Sequence, residues 1–309
     1  MSVNLVLVLV QLIMASLAVL GRLVLPVVPA AVLVLFRISG AALVLLLMAW
    51  RRPVERVRAP LDLLRLAAVG WLGVTANQTL FLMGLARTSA VTAAVLITTI
   101  PVFTVLISLL AGRERASMLK LVGIGVAGAG AIYLVGPDRV RHEPDSALGT
   151  VFLLVGMLCY AAYLVFAKPL LVRYRPRTVV TYVMAASALG VLPIGLPAIA
   201  KFDLGSVPAG TWLLVCYIVL GPTLLAYFLN IWALRRVSSH AVASYIYLQP
   251  VFAAIASVVL LPEERLTLRT VGAALLIFAG LGQVILAEWK EGVSPPPPPG
   301  AGQIPVELS

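Results

Sequence analysis

The chain has 309 residues, 61% hydrophobic and 11% charged, with a formal net charge of +11 and a mean hydropathy of +1.07. A soluble domain carries about 45–50% apolar and about 25% charged residues, so this composition excludes an ordinary soluble fold and a disordered chain. Its Lys and Arg residues are scattered through short loops, with no basic domain or aromatic-interleaved patch. That argues against nucleic acid as a partner and for contact with membrane lipids.

Apolar stretches long enough to cross about 30 Å of hydrocarbon occur in chain order at 3–23, 30–50, 64–85, 90–111, 118–136, 147–168, 179–199, 211–234, 239–261 and 267–287. The expected fold is an all-α polytopic membrane protein with ten transmembrane helices. The first block is apolar from Val3 through Leu20, without a basic start or a cleavage site, and reads as a span rather than a signal peptide. Pro26 and Pro29, the run RRPVERVRAP at 51–60, Gly112 to Arg115, Gly136 to Asp145, Arg173 to Arg177 and Pro262 to Arg265 punctuate the joins. Cys159 and Cys216 fall inside apolar blocks and read as small core residues, not as a disulfide or metal framework.

Loops and span ends after even-numbered spans hold fifteen Lys and Arg, among them Arg51, Arg52, Arg113, Lys168 and Arg173. Those after odd-numbered spans hold seven, and Arg37 alone lies inside a span. Basic residues concentrate on the cytoplasmic side, so both termini are expected there, in a bacterial-type inner membrane crossed many times.

A shift of 149 residues lays spans four and five on spans nine and ten without a gap. Pro101-Val102-Phe103 meets Pro250-Val251-Phe252, Ser108 meets Ser257, Glu114 meets Glu263, and Val122-Gly123 meets Val271-Gly272. Spans one and six align at a shift of 146, Arg22 on Lys168 and Met14 on Tyr160. Each half thus holds five spans, an odd number, so the second enters the membrane inverted relative to the first. The expected organisation is a first repeat at 1–136, an external linker at 137–146, a second repeat at 147–287 and a Pro-rich cytoplasmic tail at 288–309. The segment NQTLFLMGLARTSAVTAAVLITTIPVF from Asn77, the following Glu114 and the Gly-rich fifth span resemble the first EamA domain of the drug/metabolite transporter superfamily. Ser238 to Gly282 resembles the second. The resemblance implies a ten-helix inverted-repeat carrier with cytoplasmic ends that exports amino acids or other small metabolites. Met14 and Tyr160 stand where family members often carry a Trp.

Polar side chains within spans cost free energy unless they face other helices or a cavity, so they mark the candidate pathway. Arg37 lies about seven residues past Pro29, roughly 10 Å deep at 1.5 Å per residue; it suits either a substrate carboxylate or phosphate or a structural strut. Asn77 and Gln78 are at mid-depth in span three, and Thr223, Tyr227 and Asn230 share a face of span eight. Tyr245 and Gln249 share a face of span nine, Thr98 and Thr99 precede Pro101, and Tyr160 and Tyr163 can wall the same cavity. Interhelical hydrogen bonding is the alternative role for each of these. Pro101 and Pro250 each remove a backbone donor in mid-span and are candidate hinges or gates, with simple kinking as the alternative.

All twelve Asp and Glu fall in loops, at span ends or in the tail, and both His lie in or near loops. No nucleophile with a base, metal cluster or nucleotide-binding motif is visible, so neither an enzyme nor an ATP-driven pump is expected, and no cofactor or metal is implied. The run SPPPPPGAG at 294–302 favours an extended polyproline segment outside the bundle. The functional expectation is a secondary transporter that exports or exchanges amino acids or similar small polar metabolites by alternating access. The alternatives are a carrier of nucleosides, drugs or lipid precursors, and a channel or scaffold.

Overall fold

The structure, a computed structural model, describes residues 2–113, 117–135, 142–226, 228–229, 233, 245–260 and 267–290. The described residues form helices and no strand. In chain order these are α1 (Val3–Val24), α2 (Ala30–Arg51), α3 (Pro60–Gly70), α4 (Asn77–Leu85), α5 (Ala90–Ile97), α6 (Ile100–Leu110), α7 (Met118–Val135), α8 (Pro144–Arg173), α9 (Pro176–Ile199), α10 (Ala209–Ile218), α11 (Gln249–Leu260) and α12 (Leu268–Lys290). Among the described residues, eight helical segments are long and apolar enough to cross a membrane, α3–α4 and α5–α6 each counting as one. The apolar helix Ala209–Leu225 is shorter. The rest of the expected span at 211–234 and the start of that at 239–261 lie mostly outside the described residues.

Helix starts follow the punctuation of the sequence. Pro60, Pro144 and Pro176 occupy the first turn of α3, α8 and α9, where a fixed φ suits the helix and the missing N–H removes no intrahelical bond. The Ser2 and Ser89 side chains cap α1 and α5 by accepting from Leu5 N and Thr92 N. Pro101 likewise falls in the first turn of α6, after a break at Thr98 and Thr99, rather than in an unbroken helix. Pro250 is the second residue of α11, which follows a 3₁₀ turn at Tyr245–Leu248. The physical reason is the same in both places: without its N–H, proline is accommodated where a helix begins more readily than where one continues.

Two wide π-helical turns interrupt other spans, Trp71–Ala76 between α3 and α4 and Val219–Leu225 after α10. Pro222 inside the second cannot donate to the carbonyl of Ile218, and the Thr223 hydroxyl donates there at 3.0 Å. In the first, Gly73 lies so close to the Tyr163 ring of α8 that a Cβ would overlap it.

In the bundle α7 packs along α12 and α2 along α9, while α4 and α6 both rest on α8, and α10 and α11 both rest on α1. The α7–α12 contact is made by small residues, Gly123, Ala127 and Gly130 on α7 against Gly280 and Ala273 on α12. A Cβ on Gly123 would sit 2.6 Å from the carbonyl of Gly280, and one on Gly280 would sit 2.5 Å from the amide of Ala127. Many large apolar side chains point outward, Trp50 at 81%, Leu213 at 73% and Ile132 at 72% exposure. A soluble protein would hide such a belt; in a bilayer it meets acyl chains, with Trp50 near a helix end where interfacial aromatics gather.

The two ends of the bundle differ in chemistry. At one, the segment 53–59 lies over the start of α9: Glu55 N donates to the Thr178 hydroxyl, Val57 N to the Tyr182 hydroxyl, and Arg175 pairs with Glu55 at 3.0 Å. At the other, Leu25 and Val28 of the α1–α2 join and Val207 of the α9–α10 join are buried in the apolar core, and Arg87 after α4 pairs with Asp145 in the first turn of α8 at 3.2 Å.

Overpacking costs about 1–3 kcal/mol, so Gly123→Leu and Gly280→Leu are expected to lower the detergent-solubilised melting temperature by several degrees. Gly125→Leu, whose Cβ position has nothing within 4 Å, should leave it unchanged in the same fluorescence size-exclusion melt.

Candidate functional site

The least favourable residue to bury is the centre of the site. Arg37, on α2, is 1% exposed. Its Nε donates to the Thr223 hydroxyl at 2.6 Å and its Nη1 to Gln78 Oε1 at 2.5 Å. Gln78 comes from α4 and Thr223 from the second π-helical turn, so one guanidinium joins three separate spans, two early in the chain and one late. Thr223 relays the contact: it accepts from Arg37 and donates to the carbonyl that Pro222 leaves without its usual donor. The acceptors at Nε and Nη1 are a hydroxyl and an amide, both neutral. A planar guanidinium held in this way is suited to receive an anionic or zwitterionic group.

A second buried polar contact lies between α1 and α11, where Gln249 Nε2 donates to Gln11 Oε1 at 2.6 Å, with the two residues 9% and 2% exposed. Nearby on α1, Ser16 shares a 3.0 Å hydrogen bond with the Tyr217 hydroxyl of α10. Ser16 also lines a cleft of about 300 Å³ with Leu12, Ala15, Phe252, Ile255 and Ala256.

At the end of the bundle that carries segment 53–59, Asp62 collects donors from two elements. Its carboxylate accepts from Arg65 and Arg173, each at 3.2 Å, and from the Tyr174 hydroxyl at 2.9 Å. Accepting that bond, the carboxylate holds the Tyr174 phenol above its ordinary range, with desolvation adding to the effect. Among the described residues no three His, Cys, Asp or Glu side chains gather as a metal site would require.

A family model described as the EamA-like transporter family matches residues 1–136 and again 147–286. The chain belongs to the EamA-like transporter family. A probable terminal-alkyne amino-acid exporter of Streptantibioticus cattleyicolor is 30% identical over 242 residues, covering 78% of this chain and 79% of that protein. An uncharacterized transporter of Archaeoglobus fulgidus is 27% identical over 220 residues, 70% of this chain and 73% of the relative. A solved crystal structure at 20% identity aligns with a TM-score of 0.61 over 93% of this chain and 98% of its own, so the fold is shared. The protein is therefore a polytopic helical membrane transporter of the EamA type.

Within this EamA-like bundle the residues singled out from sequence fall into separate groups. Arg37, Gln78 and Thr223 meet. Asn77, adjacent to Gln78, turns to α8 and donates to the Gly156 carbonyl at 2.8 Å, an interhelical tie. Thr98 is fully buried, and its hydroxyl donates to the Val95 carbonyl one turn back. Tyr160 and Tyr163 lie with ring centroids 5.6 Å apart, tilted by 30°. Tyr245 packs, with Val3, against the buried pair Leu7 and Ala233. Tyr227 and Asn230 lie outside the described residues. Gln11 and Tyr217 were not singled out from sequence; Gln11 is an amide in an otherwise mostly apolar run, and that is the signal that points to it.

Breaking one partner of a buried pair leaves an unsatisfied amide, at a cost of about 1–3 kcal/mol. Gln249→Leu and Gln11→Leu should each destabilise by that order, and the double variant should recover most of the loss, because the 149- and 146-residue shifts place Ile100 and Met157 at the corresponding positions. A double-mutant cycle on detergent melts reads the coupling; additive losses would mean that the two amides do not act as a pair.

Proposed function

We propose that this EamA-like protein is a secondary transporter that exports or exchanges amino acids or similar small polar metabolites. The observation that carries the reading is Arg37: a buried guanidinium, bonded to Gln78 and Thr223 from the two halves of the chain, where a solute carboxylate would bind. The exporter of S. cattleyicolor, named for an amino-acid cargo, supports the same substrate class.

The mechanism we favour is alternating access by two inverted five-helix repeats, 1–136 and 147–287, joined by a short external linker. The family model matching twice supports it. So do the interruptions: the π-helical turns at Trp71–Ala76 and Val219–Leu225, and the helix starts at Ile100 and Gln249, recur about 149 residues apart. The packing follows the same exchange, since α3 and α6 rest on α8 as α10 and α11 rest on α1. On this reading Arg37, Gln78, Tyr160, Tyr163, Tyr227, Asn230, Tyr245 and Gln249 surround the pathway near the midplane, with Asn77 and Thr98 stiffening its walls. The breaks before Pro101 and Pro250 are the hinges. Both termini face the cytoplasm of an inner membrane, and transport proceeds by facilitated diffusion or exchange.

Counterflow in proteoliposomes, with a panel of amino acids and small carboxylates, tests the proposal. Saturable, counter-stimulated uptake of at least one solute is expected. Loss of a charge-assisted contact worth about 1.5–3 kcal/mol predicts that Arg37→Ala raises KM by roughly ten- to a hundredfold, with membrane insertion intact and partial rescue by Arg37→Lys. Unchanged transport by Arg37→Ala, or a loss confined to insertion, would assign Arg37 a strut's role. Non-saturable flux would favour a channel.

A further inference from the structure

Proline 169 lies inside α8 and cannot donate to the carbonyl of Val165 one turn earlier. Arg113, in the segment that follows α6, reaches across and gives its Nη1 proton to that carbonyl, while its guanidinium lies 5.5 Å over the Phe166 ring. The side chain is thus fixed by two contacts, and its Nε and Nη2 have no partner among the described residues. Beside it stands Lys168, exposed and likewise without a described partner. Arg113, Lys168, Pro169 and Val172 line a cleft of about 330 Å³. Lys168 is five residues from the end of α8, about 7.5 Å at 1.5 Å per residue, which is a depth suited to lipid phosphates. Leu164, one turn further toward the midplane on the same face, is 37% exposed, and neighbouring Phe166 is 44% exposed.

We propose that Arg113 and Lys168 form a binding site for the phosphate of one anionic phospholipid, whose acyl chains run toward the midplane past Leu164 and Phe166. Two cations at one point match a headgroup with net negative charge better than a zwitterionic one, in which a tethered ammonium would meet the same cations. The apolar surface directly below them favours a lipid over free phosphate, which has nothing to cover it. Because Arg113 is already ordered by Val165 and Phe166, little side-chain entropy is lost when the phosphate arrives. The site stands on the outside of the bundle, apart from Arg37, and does not depend on the solute carried.

The test uses the purified full-length chain in mild detergent, exposed to equimolar phosphatidylglycerol and phosphatidylcholine with identical acyl chains, and native mass spectrometry of what stays bound. The expected result is retention of phosphatidylglycerol at least fivefold over phosphatidylcholine, reduced to near parity in Lys168→Gln. Lys201→Gln, an exposed cation just beyond the far end of α9, should keep the wild-type preference. Equal retention of both lipids by the wild type, or a Lys168→Gln variant with the preference intact, would overturn the site. Displacement of the bound lipid by millimolar inorganic phosphate would show a free-anion site instead and would also overturn it. Lys168 has no described contact to lose, so its replacement should fold; a matching detergent melt checks this.

Discussion

In hydrocarbon a backbone carbonyl without a donor costs several kcal/mol, and that constraint governs where this bundle departs from regular helix. Pro222 withholds a donor from Ile218, and Thr223 supplies one. Pro169 withholds a donor from Val165, and Arg113 supplies one. Ahead of Pro101, by contrast, the carbonyls of Val95 and Leu96 keep backbone donors, the N–H groups of Thr98 and Thr99, and the two hydroxyls only add to them at 2.6 Å each. Each repair brings a polar side chain against an irregular backbone. In the case of Thr223 the repairing group also holds Arg37, so the irregularity and the charge that gives the site its chemistry are one construction.

Much of the architecture is legible in the sequence because hydrocarbon leaves few choices. Apolar runs bounded by Pro60, Pro144 and Pro176 become helices starting at those prolines, and the Gly-rich fifth span becomes a close helix contact, Gly123 and Gly130 meeting Gly280 and Ala273 of α12. The site is legible only as a set of polar residue types. Depth along a span follows from counting residues, but azimuth does not, because a π-helical turn rotates everything after it by an extra residue. Adjacent Asn77 and Gln78 part company because successive residues lie about 100° apart around a helix, and which of them meets α8 and which Arg37 depends on that azimuth. The sequence places Pro101 in mid-span but does not show the break before it, for a related reason: hydropathy runs unbroken through Thr98 and Thr99 although the helix does not.

Buried polarity is also distributed unevenly. The Gln11–Gln249 pair joins α1 to α11, whereas Met157 and Ile100 occupy the positions that the internal sequence shifts relate to them, and both are buried apolar residues. Arg37 has no basic residue at the related positions on α9, where Val183 and Ala186 stand. The duplication seen in the family match is therefore one of framework. The polar groups within it are individual, and a site assembled from them presents different chemistry to a solute from its two sides.

The unlike ends of the bundle carry a consequence of their own. One is tied by carboxylates and cations, Glu55 to Arg175 and Asp62 to Arg65, Arg173 and Tyr174; the other is closed by Leu25, Val28 and Val207 in the apolar core and also pairs Arg87 with Asp145. Dissolved salt screens the first kind of closure and reinforces the second, whereas cooling weakens the second and leaves the first largely intact. Ionic strength thus acts at both ends, on the Asp62 and Glu55 network at one and on the Arg87–Asp145 pair at the other, whereas cooling acts on the apolar closure.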